Sequence, residues 1–295
     1  MHQQNKKAYI ALIVGAIIIG FSPVLIKMAN APGIVSSFYR LLFGTLTLTP
    51  FFIYSYLKNK PKIPIKGVIF ASLAGLCFAL DMSLWTTGIM ISTATIPTIA
   101  GNLAPLWVGI MAMIFFKERN KAGFWLGLLL ALAGVTLLVI HDLYHPTGMM
   151  KGLLLGLLAG FFYAGFLVLT QPGRRYLNTI TFLYISSFAT TVFIGLFLLG
   201  NGLSFTGYPA KSWMIFLIMG VTMQAGAWFL INYSQGHLPA SLIAPTLLTQ
   251  PVLAGIIAYF LLGEVLTFWQ FIGGIIVVVG IYQVHFSRNK KVKTS

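Results

Sequence analysis

Asp81 is one of four acidic residues in a chain of 295, and it stands inside an apolar run, GVIFASLAGLCFALDMSLWTTGIMI, residues 67–91. A carboxylate in such a run is costly to desolvate, so it must face a cavity or a partner. Trp85 follows at i+4 and shares its helical face. Carboxylate beside indole suits an organic cation or amine, through charge and cation–π attraction. A lone carboxylate also suits a proton. The plain alternatives are a structural hydrogen bond for Asp81 and an interfacial belt position for Trp85. Arg40, in SSFYRLLFG, is the one cation set inside another run. Counted from the same end of their runs, Arg40 and Asp81 start about 9 and about 12 Å deep at 1.5 Å per residue. That common depth suits a buried ion pair, and Arg40 snorkelling to the headgroups is the alternative.

A second pattern is Gln224, Trp228, Asn232 and Gln235, spaced i, i+4, i+8, i+11. On an α-helix this is one polar-aromatic stripe, which lines a wet cavity or bonds neighbouring helices. Asn102, with Thr98 and Thr95, repeats the theme before Pro105. Tyr163, Gln250, Tyr39 and Tyr184 are weaker candidates for binding. Pro105 and Pro251 each free a carbonyl four residues earlier, at Gly101 and Leu247, and so suit a kink or gate. Gly152, Gly156 and Gly160, and Gly123, Gly127 and Ala131, are small-residue ridges for close helix packing. His141, Asp142 and His145 read as a solvated loop rather than a metal site. No metal or cofactor is expected. No phosphate-binding loop, dinucleotide fingerprint, zinc-protease motif or nucleophile elbow is present, which argues against an enzyme.

The elements that position these groups follow from composition. The chain is 58% hydrophobic and 8% charged, where soluble domains carry about 25% charged residues. The bilayer must be its main solvent. A net charge of +15 would invite nucleic acid, but the cations sit between apolar runs rather than on one folded face, so no nucleic-acid partner is expected. The single cysteine, Cys77, permits no internal disulfide. Lys6, Lys7, an apolar stretch and Ala29-Asn30-Ala31 imitate a signal peptide, but the stretch is long for one and Pro32 follows. It is read as a retained first helix.

Ten candidate spans are counted, near 8–28, 34–56, 67–89, 93–115, 122–140, 149–170, 178–200, 211–233, 238–262 and 267–286. Loops taken alternately place fifteen Lys and Arg on the side of the N-terminus and three on the other. By the positive-inside bias both termini are expected in the cytoplasm.

The chain also repeats. GNLAPLWVGIMAMIFFKE and LTQPVLAGIIAYFLLGE place Pro105 and Pro251, and Glu118 and Glu264, 146 positions apart. Ala94 and Ala240, and Gly134 and Gly280, keep the same offset. Five spans repeated must invert the second copy, because five is odd. Inverted repeats are the architecture of alternating-access transporters. Asp81 and Arg40 have no charged mates, since the offset carries them to Ala227 and Ser186.

The Arg40 segment, NLAPLWVGIMAMIFFKER and TQPVLAGIIAYFLLGEVLTFWQFIGGIIVVVGI resemble the drug/metabolite transporter superfamily with two EamA-type domains. The resemblance covers almost the whole chain and says little about substrate. It implies a multi-pass carrier of the bacterial inner membrane, often an exporter, of amino acids, sugars, nucleotide precursors or cations. It also implies that spans one to four and six to nine surround the pathway, with five and ten peripheral.

The expectation is therefore an all-α membrane protein of ten helices around a central cavity. Residues 1–145 form the first repeat, 146–287 the inverted second, and 288–295 a basic cytoplasmic tail. A monomer or weak homodimer should move a small polar or amphipathic metabolite, such as an amino acid or amine. The alternatives are a membrane-embedded enzyme and a channel or receptor.

Overall fold

A computed structural model describes residues 2–59, 62–91, 95–139, 149–262 and 268–289, and among them every regular element is a helix. In order these are α1 (His2–Gly20), α2 (Ser22–Met28), α3 (Gly33–Asn59), α4 (Ile65–Ile91), α5 (Thr95–Gly101), α6 (Ala104–Phe116) and α7 (Ala122–Val139). There follow α8 (Met149–Tyr176), α9 (Thr179–Gly200), α10 (Ala210–Ile218), a π-helical stretch (Met219–Ala227) and α11 (Trp228–Gln235). The last three are α12 (Ala240–Leu247), α13 (Thr249–Leu262) and α14 (Phe268–Asn289). Helix occupies part of every window read as a span.

Among the described residues six stretches are long and apolar enough to cross a membrane, including Ile65–Ile89, Thr179–Gly200 and Ala210–Gln235. Their outward faces carry residues such as Leu196, Phe188 and Leu217, which lipid solvates as well as a core would.

Two of the interruptions fall beside the repeated prolines. The sequence suggests a bend within a continuous helix at Pro105 and at Pro251. The structure instead ends each helix earlier and starts a new one. Leu103 N–H turns back to Ala100 O at 3.2 Å, and Leu248 N–H to Pro245 O at 3.1 Å. Pro105 then sits in the first turn of α6 and Pro251 in that of α13. A proline is harmless there, because first-turn N–H groups have no intrahelical acceptor.

Small residues set the closest helix contacts. A Cβ added to Gly134 would meet Gly273 O at 2.7 Å, and one added to Gly280 would meet Gly127 O at 2.6 Å. An offset of 146 converts the first pair into the second. The pairs also run oppositely along α7 and α14, so these helices are antiparallel and related by a local two-fold exchange. A second contact follows the offset on one side only, since Gly75 and Gly220 lie 145 positions apart. Gly220 would meet Phe43 Cβ at 2.6 Å and Gly44 N at 2.8 Å, while Gly75 would meet Ala189 Cβ at 2.9 Å and Thr190 N at 3.2 Å. Phe43 and Gly44 plus 146 are Ala189 and Thr190. The Gly156 and Gly160 ridge packs on α5, with added Cβ positions 2.5 Å from Pro97 Cα and 2.8 Å from Gly101 O.

Candidate functional site

Arg40 on α3 and Asp81 on α4 are both buried, at 5% and 8% exposure. They attract each other electrostatically, and Tyr163 on α8 interacts with both and hydrogen-bonds Gln250 on α13. Four helices, two from each half of the chain, thus converge on one polar centre. The expected ion pair is looser than a direct bridge. Arg40 Nη1 donates to Ser22 Oγ at 3.3 Å and Nη2 approaches Met82 Sδ at 3.9 Å. Its Nε–H is buried without a partner. A guanidinium prefers to spend its fork on a carboxylate, and here one N–H is left without a partner.

Residues three positions along the same helices build an apolar wall next to this centre. Phe78 precedes Asp81 on α4, and Phe166 follows Tyr163 on α8. Their rings stack at 4.8 Å, and Trp228 meets them edge-on at 5.3 and 5.2 Å. Tyr163 lies 6.3 Å from both phenylalanines and joins the two surfaces. Phe78 and Phe166 are absent from the sequence candidates. The three-residue spacing from Asp81 and Tyr163 was the available signal, hidden among 24 phenylalanines.

Other candidates fall elsewhere. Trp85 donates its indole N–H to Thr98 Oγ1 at 3.0 Å, which ties α4 to α5. Asn102 occupies the turn between α5 and α6, half-buried, with its N–H on Thr98 O at 3.0 Å. Asn232 is fully buried below Trp228. Its side-chain amide donates to Trp228 O at 3.0 Å, and its Oδ1 has no partner. Both amide atoms of Gln235 are likewise buried and unpaired.

Gln224 leaves the expected stripe. It packs on Gly44 of α3 and donates to Ser187 Oγ of α9 at 2.9 Å. The cause is the π-helical stretch, whose i→i+5 bonds widen each turn, so a four-residue step no longer returns to one face. Tyr39 donates to Phe205 O at 2.5 Å, and Tyr184 stacks on Phe52 at 4.3 Å. Glu264 and the His141–Asp142–His145 group lie outside the described residues. Among the described residues no three His, Cys, Asp or Glu side chains gather as metal ligands.

A cavity of about 360 Å³ opens between α4 and α9, lined by Leu76, Leu80, Leu84, Phe193 and Phe197. These positions occupy the side of α4 away from Asp81. The cavity is apolar and separate from the polar centre.

The opposite rim of the bundle, rich in Lys and Arg, is densely bonded. Ser241 Oγ on α12 donates to Glu118 Oε2, at the end of α6, at 2.6 Å. Ala240 N–H donates to Gln171 Oε1 at 2.9 Å, and Ser234 Oγ to Ala8 O at 2.7 Å. Arg174 donates to Asn232 O at 3.1 Å and to Thr179 Oγ1 at 2.6 Å, and also bonds Leu177 O. It thereby caps the carboxyl ends of α8 and α11 together, where cations are favoured.

A buried charged pair, an aromatic wall and interrupted helices inside an all-helical apolar bundle are the parts of a membrane carrier. The family comparison agrees. Residues 6–140 and 150–285 each match the EamA-like transporter family, and the chain belongs to it. It is 25% identical over 252 residues to the uncharacterized transporter YdfC of Bacillus subtilis, spanning 85% of this chain and 81% of that protein. It is 24% identical over 273 residues to an uncharacterized transporter of Archaeoglobus fulgidus, spanning 92% and 93%. A WAT1-related protein of Arabidopsis thaliana is 24% identical, over 100% of this chain and 94% of its own. A crystal structure with 13% identity matches the fold at a TM-score of 0.80, over 96% of this chain and 98% of its own. The protein is a multi-pass membrane transporter.

Proposed function

We propose that the chain is a secondary transporter of small amphipathic metabolites, built as two inverted five-span repeats that expose one central site alternately to each side of the membrane. Ten spans follow from the windows and the charge alternation, with both termini in the cytoplasm of a bacterial cell. The exchange of Gly127–Gly280 with Gly134–Gly273 under the 146-residue offset supports the inversion. Export as the direction rests on the family resemblance.

One observation carries the substrate class. Arg40 and Asp81 are buried and mutually attracted, yet Arg40 keeps an unpaired N–H. A ligand with opposite charges would answer both, its carboxylate on Arg40 and its ammonium on Asp81. Phe78, Phe166 and Trp228 then receive its apolar part. Amino acids and related amines have that chemistry, whereas sugars would leave both charges unanswered.

The test is a thermal-shift screen of amino acids, amines, sugars and nucleosides on purified protein, followed by flux into liposomes. Stabilisation by zwitterions that is lost in Asp81→Asn supports the assignment. Stabilisation by sugars or nucleosides alone, unchanged in Asp81→Asn, overturns it.

A further inference from the structure

We infer that Glu118 and Ser241 form a latch that holds the cytoplasmic mouth of the pathway shut and parts whenever that mouth opens. The inference rests on the alternating-access assignment and concerns residues outside the substrate centre.

The contact has the length of a charge-assisted bond. Ser241 Oγ donates to Glu118 Oε2 at 2.6 Å, inside the range of about 2.5–2.7 Å for a hydroxyl on a carboxylate. Ser241 is 1% exposed, so water competes poorly for its hydroxyl. The latch also reaches across the repeats, from residue 118 to residue 241.

The segments it joins are each set off by a helix break. Glu118 follows the carboxyl end of α6, which the Asn102–Leu103 turn detaches from α5. Ser241 lies in the first turn of α12, which the turn at Leu248 detaches from α13. Each is a half-helix with a break behind it, and α6 and α12 pack directly on each other. A bond between two unbroken helices would only fix the fold. A bond between two hinged half-helices at one rim fixes which way the site faces.

The sequence gives the latch a symmetric partner. The 146-residue offset carries Glu118 to Glu264 and Ser241 to Thr95, again a carboxylate and a hydroxyl. Two of the four acids in the chain thereby stand at matched positions of the repeat, while Asp81 has no acidic mate. A repeat related by inversion needs the same fastening at both mouths, one for each closed state. A fastening used only for folding need not be duplicated.

The test reads the orientation of the site and needs no substrate. In a Cys77→Ala background, one reporter is Ala244→Cys on α12 and the other Thr98→Cys on α5. A membrane-impermeant maleimide is applied to the cytoplasmic face for the first and to the outer face for the second. Glu118→Gln and Ser241→Ala should each raise cytoplasmic labelling of residue 244 severalfold and lower outer labelling of residue 98 by a similar factor. The reciprocal fall is the informative half, because local loosening of α12 would leave residue 98 alone. Glu118→Cys with Ser241→Cys supplies a second route. Bridging the two thiols with Cd²⁺ should protect the cytoplasmic mouth from protease, and removing the metal with chelator should reverse it.

Unchanged labelling at both reporters in both variants overturns the latch. A rise at residue 244 without a fall at residue 98 also overturns it, leaving a local contact. Failure of the carrier assignment looks different: reciprocal switching with no solute moved in any liposome assay would keep the latch and remove the transporter function.

Discussion

Arg40 donates to Ser22 Oγ at 3.3 Å and is attracted by Asp81 without a hydrogen bond between them. On the proposed function, a ligand reaches these charges without first breaking a bridge between them. Asp81→Asn should fold and lose roughly 10- to 100-fold in ligand affinity, as expected for about 1.5–3 kcal/mol in a hydrogen bond to a charge. Arg40→Gln should do the same for the carboxylate of the ligand. Isothermal titration on the purified variants measures both. If the pair only holds the fold, each single variant should misfold and the double variant recover, because each single change strands a buried charge.

Gly280→Val should be among the most damaging single changes. Its first new atom would stand 2.4 Å from Ala131 N, a backbone atom that cannot turn aside. Overpacking of this kind costs about 1–3 kcal/mol or more. Gly134→Val should match it, since the two positions exchange under the repeat. Gly200→Ala meets nothing within 4 Å and serves as the control. Thermal unfolding in one detergent compares the three.

Gln224→Met should leave stability within about 1 kcal/mol of the parent, because it removes one hydrogen bond to Ser187 but also an orphaned carbonyl oxygen. Ligand affinity should not change, as Gln224 faces α3 and α9 rather than the polar centre. Asn232→Leu should weaken ligand binding instead, through Trp228 of the aromatic wall, whose carbonyl its amide bonds at 3.0 Å. Parallel melting and titration curves separate the two positions. A loss of affinity in Gln224→Met would return that residue to the site.

Orientation is tested by cysteines placed at Lys66, Lys121 and Lys211 in a Cys77→Ala background. The first two should react only from the cytoplasm and the third only from outside. Outside reaction at Lys121 would undo the inverted arrangement, since Lys121 follows an even number of spans.

The sequence made the helices and the repeat legible because both rest on simple periods. Apolar runs of bilayer length become helices in lipid almost regardless of detail, and an offset of 146 is read by counting. The meeting of Arg40 and Asp81 was legible for the same reason, through a fixed rise per residue. Helical phase was harder. Gln224 left its stripe because a π-helical stretch precedes Trp228, and no residue type in MGVTMQAGA announces that change of pitch. The breaks at Leu103 and Leu248 were also misplaced, since proline marks a restart as readily as a bend. Phe78 and Phe166 were hidden by context, because two aromatic residues draw no notice in an apolar helix until their partners are known.

The pairing of Arg40 with Asp81 also bears on energy coupling. A positive and a negative charge that travel together carry no net charge through the membrane field, and neither does a zwitterion between them. A cycle built on this pair would run independently of membrane potential. Neutralising Asp81 would leave Arg40 to cross part of the field alone, where a full crossing is worth about 2.3 kcal/mol per 100 mV. On the proposed mechanism, an ionised Asp81 would keep the carrier electrically silent as well as bind the ligand.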